Sequence, residues 1–249
     1  MKRCFSLLIA ILVSIPGWGA ELISIPSGSY KPLLGKGIEV QVRGFLIEES
    51  PVQNQDFLQF VKSEIKWKKS KAISLFVDQS YLKNWKGDLE LGELALPESP
   101  VVYVSWFAAK SYCESKGLRL PTVDEWEYLA QYGAEDKTKD VKKEILDWYA
   151  KASTEKLPSV KTTFKNKFGV WDIHGLIWEW TMDFNTTFVT GESRGDTALE
   201  KSMYCGSGSV GAVDPSDYAG FMRFGFRSSL KAKYTVGNLG FRCAKEGKK

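Results

Sequence analysis

Histidine is almost absent: His174 stands alone in 249 residues. That excludes zinc sites built on histidine and the iron facial triad, which needs two. It also leaves no spare partner for a Ser–His–Asp triad. A Ser–His pair using His174 would lack a nucleophile-elbow motif, so His174 reads as a hydrogen-bonding residue in a turn. Cysteine is scarce too, with only Cys4, Cys113, Cys205 and Cys243. Low-complexity linkers and internal repeats are missing. Only one long apolar run occurs, Phe5 to Ile15, and it is about half the length of a membrane span.

That run has the layout of an export signal. Lys2 and Arg3 precede it, Pro16 and Gly17 break it, and cleavage is expected after Gly19 or Ala20. Residues 1–20 are therefore read as a signal peptide and 21–249 as one domain, periplasmic or secreted. Cys4 lies before the apolar run, the wrong place for a lipidated cysteine. Removing Lys2 and Arg3 from the 34 basic residues leaves 32 against 30 acidic ones. Such a balance argues for neither nucleic acid nor an acidic surface. No membrane span is expected after cleavage. The lysine-rich stretch from Lys137 to Lys167 is interleaved with acids and reads as a solvated, partly helical face. Cys113, Cys205 and Cys243 remain in an oxidising compartment, which suggests one disulfide and one thiol, with three pairings open.

Three helix starts stand out. Ser50 is placed to cap a helix with Pro51 in its first position and Gln53 closing a capping box; Phe57, Phe60, Val61 and Ile65 follow at helical spacing. A second helix is expected from Ser105 to about Ser115, stopped by Gly117. A third has Thr122 as cap, Glu125 three residues on, and Trp126, Leu129 and Ala130 as its buried stripe. Val40–Leu46 and Val101–Val104 read as strands. From Lys167 onward the chain is rich in Gly and aromatics with few periodic runs. The whole suggests an α+β domain with much irregular backbone, held by aromatic packing.

Gly206–Gly211 matches G-x-G-x-x-G, but Pro215 opposes a helix running on from it, so a dinucleotide site is not expected. Acidic pairs such as Asp124/Glu125 and Glu179/Asp183 do not by themselves define a glycosidase. Glu125 reads as a helix cap. Glu179 lies between Trp178 and Trp180 and faces away from them if that stretch is extended.

Three blocks are specific in combination: Pro100–Trp106 through Cys113 to Arg119-Leu120-Pro121-Thr122 and Trp126; Phe168 through His174-Gly175 to Trp178-Glu179-Trp180 and Asp183; and Asn238-Leu239-Gly240-Phe241-Arg242-Cys243. In this order and spacing they resemble the formylglycine-generating enzymes, or sulfatase-modifying factors, over about residues 22 to 246. The resemblance implies a C-type-lectin-like variant of an α+β fold. It also implies a disulfide between Cys113 and Cys243, leaving Cys205 as the free thiol. The family oxidises a substrate cysteine to formylglycine with O2, using copper(I) held by two cysteines; soft thiolates select that ion. Counting back from Asn238 puts those cysteines at Asp214 and Ala219, so the copper ligands are absent. Leu176 replaces an asparagine near a structural calcium site, and the segment from Ala134 to Lys167 lacks the family's first calcium loop, which speaks against calcium. Tyr218 and Asn238 remain as cleft candidates, Asn238 matching an active-site asparagine, and Arg242 matches a core arginine.

The expected function is that of an exported member without the copper pair: an accessory, maturation or polypeptide-binding factor for another exported protein or peptide. One alternative is an oxidoreductase of the family with an altered site, such as a soft-metal site at Met203 and Cys205 with Met222 or His174. Another is a carbohydrate-binding module using some of the nine tryptophans.

Overall fold

Phe45, Ile47 and Glu48 are buried, and the strand they form is the centre of the main sheet. The computed structural model describes residues 20–32, 38–133, 141–151, 154–185 and 218–247. Strand β1 (Leu22–Ile25), β4 (Phe45–Glu48) and β7 (Ala244–Glu246) form an antiparallel sheet in the order β1-β4-β7. The register pairs Ile23 with Ile47 and Ile47 with Ala244, so the two ends of the domain meet on β4. Strands β2 (Gly28–Tyr30) and β3 (Val40–Val42) pair separately. The expected single strand over Val40–Leu46 is thus two. The chain turns at Gly44, where an added Cβ would sit 3.2 Å from the Ile25 carbonyl oxygen. A short parallel pair, β5 (Trp178–Glu179) with β6 (Leu239–Gly240), completes the sheets.

Two of the three expected helix starts hold. Helix α2 spans Trp106–Ser115, and the Ser105 hydroxyl accepts from the Ala108 N–H. Gly117 follows with φ +68°, a conformation L side chains resist. Helix α3 spans Val123–Ala130 with a complete capping box between Thr122 and Glu125, and Trp126, Leu129 and Ala130 are buried. The first expectation needs correction. Helix α1 runs Asn54–Ser63, and Gln53, at its N-cap, makes no side-chain cap bond. Tertiary pairing takes the preceding backbone: the Val52 N–H donates to the Phe241 carbonyl, and Gln53 bridges Pro100. The Asn54 amide fixes the helix start by donating to the Leu96 and Ser99 carbonyls. Ile65 lies beyond the helix end, in a 3-10 turn, and is 60% exposed, so it is not part of the buried stripe.

Val101–Val104 also departs from expectation. It forms no regular strand, because Tyr103 adopts φ +57° and its neighbours are single bonds to irregular segments: Val101 N–H to Val52, Tyr103 N–H to Val236. Helix α4 (Val141–Tyr149) makes the lysine-rich stretch partly helical, as read. Helix α5 (Tyr218–Ser229) was not expected in a region read as aperiodic.

The core is aromatic, as the composition suggested. Phe57 is buried among Phe60, Trp85, Tyr112 and Phe241, with ring centroids 5.3–6.2 Å apart. Such contacts add to the burial of large apolar area. Beside this cluster, Cys113 on α2 is joined to Cys243 by a disulfide, with Cα atoms 5.5 Å apart. It closes a separation of 130 residues, for which chain-entropy arguments give about 4–5 kcal/mol.

Candidate functional site

Helix α5 places two kinds of residue on adjacent faces. Tyr218, Met222 and Phe226 recur every four residues, and so do Ala219, Arg223 and Arg227. The second row faces α3. Arg223 donates to both Glu127 carboxylate oxygens at 3.0–3.2 Å, and Arg227 lies beside the same carboxylate at 2.5 Å. Burial alone would raise the Glu127 carboxyl; the two guanidinium charges outweigh it and bring the group to about 2. Arg227 also lies over the Trp126 ring, 4.9 Å from its centre. One carboxylate therefore fastens α5 to α3.

The first row helps to wall a cavity of about 780 Å³. Met222 and Phe226 form one side, Trp148 and Tyr149 at the end of α4 another, and Trp178 on β5 lies between. Trp178 stacks on Phe226 at 4.2 Å and on Tyr149 at 5.0 Å. Leu96, Leu157, Pro158 and Leu176 continue the apolar lining. Asn238, Thr154, Lys151 and Lys156 supply its polar groups, and none of its described lining residues is acidic. The volume falls in the range of small-ligand sites.

A second ion pair holds the platform beneath. Arg242 and Glu179 are both wholly buried and paired at 2.7–2.8 Å. The Trp126 indole N–H donates to the same carboxylate, and Arg242 donates also to the Glu48 and Trp171 carbonyls. All three guanidinium nitrogens of Arg242 and both carboxylate oxygens of Glu179 thus have partners, as burial requires. The Trp178 N–H donates to the Asn238 carbonyl at 2.8 Å, so β5 and β6 set both cavity residues together.

The expected site residues are distributed unevenly. Asn238 and Met222 line the cavity. Tyr218 is 67% exposed and is not among the cavity's lining residues. Ala219 is buried on α5. Asp214, Met203, Cys205 and the glycine motif at Gly206–Gly211 lie outside the described residues, as do residues 1–19 of the expected signal. His174 is buried away from the lining, its Nε2 2.9 Å from the Ala130 carbonyl and its ring edge-on to Trp126. Burial, and then the charge of Arg223, lower its pKa to about 3, so it stays neutral. Sequence reading missed Trp148, Tyr149, Phe226 and the Glu127 cluster. The four-residue spacing along α5 was the available signal.

Residues 18–247 match the family described as sulfatase-modifying factor enzyme 1-like domain. The chain belongs to this family. It is 30% identical over 172 residues to the formylglycine-generating enzyme of Streptomyces coelicolor, an alignment covering 60% of this chain and 54% of that enzyme. The chain thus spans about half the length of that relative. It is 25% identical over 219 residues to inactive C-alpha-formylglycine-generating enzyme 2 of Mus musculus, covering 68% of each. Among solved structures, PvdO from Pseudomonas aeruginosa superposes with a TM-score of 0.52 at 20% identity, over 91% of this chain and 94% of that one. Treponema denticola variable protein 1 gives 0.53 at 17%, over 91% and 95%. The sulfatase-modifying-factor fold, α+β with a C-type-lectin-like layout and much irregular backbone, is therefore the fold of this chain.

The family's copper(I) does not fit the residues present. The positions expected for its thiolates hold Ala219, a buried methyl group, and Asp214, whose carboxylate is a hard ligand for a soft ion. Cys113 and Cys243 are committed to their disulfide. Calcium fits no better at Leu176, which is buried in an apolar cluster with Val102, Leu157, Val160 and Ile177. Among the described residues, no helix is long and apolar enough to cross a membrane.

Proposed function

We propose that this sulfatase-modifying-factor domain is an exported, non-oxidase member that holds a polypeptide segment of another exported protein. One observation carries the reading: the chain keeps the family scaffold and an open, aromatic-walled cavity, while no cysteine lies between Cys205 and Cys243, where the count back from Asn238 puts the copper thiolates. Without two thiolates there is nothing to hold copper(I) against a substrate thiol, so the oxidation loses its centre. Binding does not need that centre. The name of the mouse relative supports a non-catalytic role, since that protein is called inactive. Export is supported by the charged, apolar and small-residue pattern of the first twenty residues.

Two arms of one experiment test this. The purified protein is incubated with a cysteine-containing sulfatase-type peptide, copper and O2, and the peptide is weighed by mass spectrometry. It is expected to keep its cysteine; formation of the aldehyde overturns the non-oxidase reading. Immobilised protein is then exposed to a random-sequence peptide pool. Retention of a subset is expected, and no retention overturns polypeptide holding.

A further inference from the structure

The lining of the cavity separates into an aromatic interior and a cationic rim. Trp148, Trp178 and Phe226 give ring surface, and Met222, 46% exposed, adds a flexible thioether suited to adaptable contact with another ring. Asn238 lines the same space, and its side-chain amide carries both a donor and an acceptor that can meet a backbone group. Lys151 and Lys156 lie at the exposed edge, and neither makes an ion pair with a described residue. Lys143 on α4 differs in this respect: it pairs with Asp147 on its own helix. Among the described lining residues, the cavity thus presents two ammonium groups without a described ion-pair partner and no carboxylate.

We infer that the cavity selects a polypeptide segment in which an aromatic side chain is flanked by acidic residues. This rests on the polypeptide-holding reading and names its specificity. The ring enters beside Trp148 and Met222, the flanking backbone meets Asn238, and the carboxylates face Lys151 and Lys156. A cavity of about 780 Å³ holds a large side chain with its immediate neighbours, not a folded domain. The rim charges act through solvent, so their contribution is modest and weakens with salt.

The test uses three fluorescein-labelled nonapeptides read by anisotropy: a central Phe flanked by Asp, the same Phe flanked by Lys, and Ala flanked by Asp. The Asp-flanked Phe peptide is expected to bind about tenfold tighter than either of the others. In the double variant Lys151→Glu, Lys156→Glu the preference between Asp and Lys flanks should invert. Both lysines are exposed, so folding is retained and is checked by circular dichroism. Met222→Glu, also at an exposed position, should weaken the Phe peptides and spare the overall spectrum. An unchanged ranking in the charge-reversal protein overturns the specificity and leaves polypeptide holding standing. Failure of all three peptides together with the random pool overturns both. Binding of phosphatidylserine vesicles in preference to the peptides would overturn it in favour of a lipid surface.

Discussion

The Arg242–Glu179 pair and the Glu127 cluster with Arg223 and Arg227 are built differently. Arg242 and Glu179 are entirely enclosed and joined to β4, α3 and the Trp171 turn. Glu127 with Arg223 and Arg227 is partly open, each side chain 11–16% exposed, and joins α3 to α5. The first cluster belongs to the scaffold common to the family blocks; the second fastens the helix that walls the cavity. A charge pair removed from water is costly to break, whereas one near the surface can be re-solvated. The scaffold is thus fixed by an interaction with no cheap alternative, and the cavity wall by one that water can partly replace.

Breaking the enclosed cluster should have the largest effect. Arg242→Ala leaves Glu179 buried with only the Trp126 indole as donor, and is expected to cost about 3–5 kcal/mol in urea unfolding. Breaking the open cluster should cost less. Glu127→Gln is expected to lose about 1–3 kcal/mol and to raise hydrogen exchange in α5 more than in β4. Equal losses for the two variants would erase the comparison.

The smallest effect is a pH dependence beside the enclosed cluster. Glu48 accepts the Cys243 N–H, yet burial lifts its pKa to about 7 from 4.5. Between about pH 4.5 and 7 the folded chain keeps a proton that the unfolded chain has released, so this group's contribution falls as pH rises. His174 acts in the opposite direction: from 6.5 down to about 3 the unfolded chain binds a proton that the folded chain does not, so stability falls as pH drops. Glu48→Gln removes only the first slope. Relative to the parent it should gain on the order of 2 kcal/mol between pH 5 and 8, read from urea midpoints across that range. A constant difference between the two proteins would place the Glu48 pKa near its ordinary value.

What could be read from the chain depended on range. The caps at Ser105 and Thr122 were legible because each is satisfied within four residues. The start of α1 was misplaced because its decisive partners are some 40 residues away, at Leu96 and Ser99. Trp148 and Tyr149 were hidden in a lysine-rich stretch, where composition reports solvent and not the ring of Trp178 brought against them. Helix α5 was missed because glycine and aromatic content masked its four-residue spacing.

The sequence by itself determined the family scaffold, through motif blocks whose order survives, and the loss of the thiol pair, because a missing cysteine needs no coordinates. It also determined that His174 has no second histidine to act with. Only the tertiary structure decided that Glu127 gathers two arginines from about a hundred residues away, and that α4, β5 and α5 enclose one cavity. The physical reason is that ion pairing and ring stacking act over a few ångströms in space, whatever the separation along the chain.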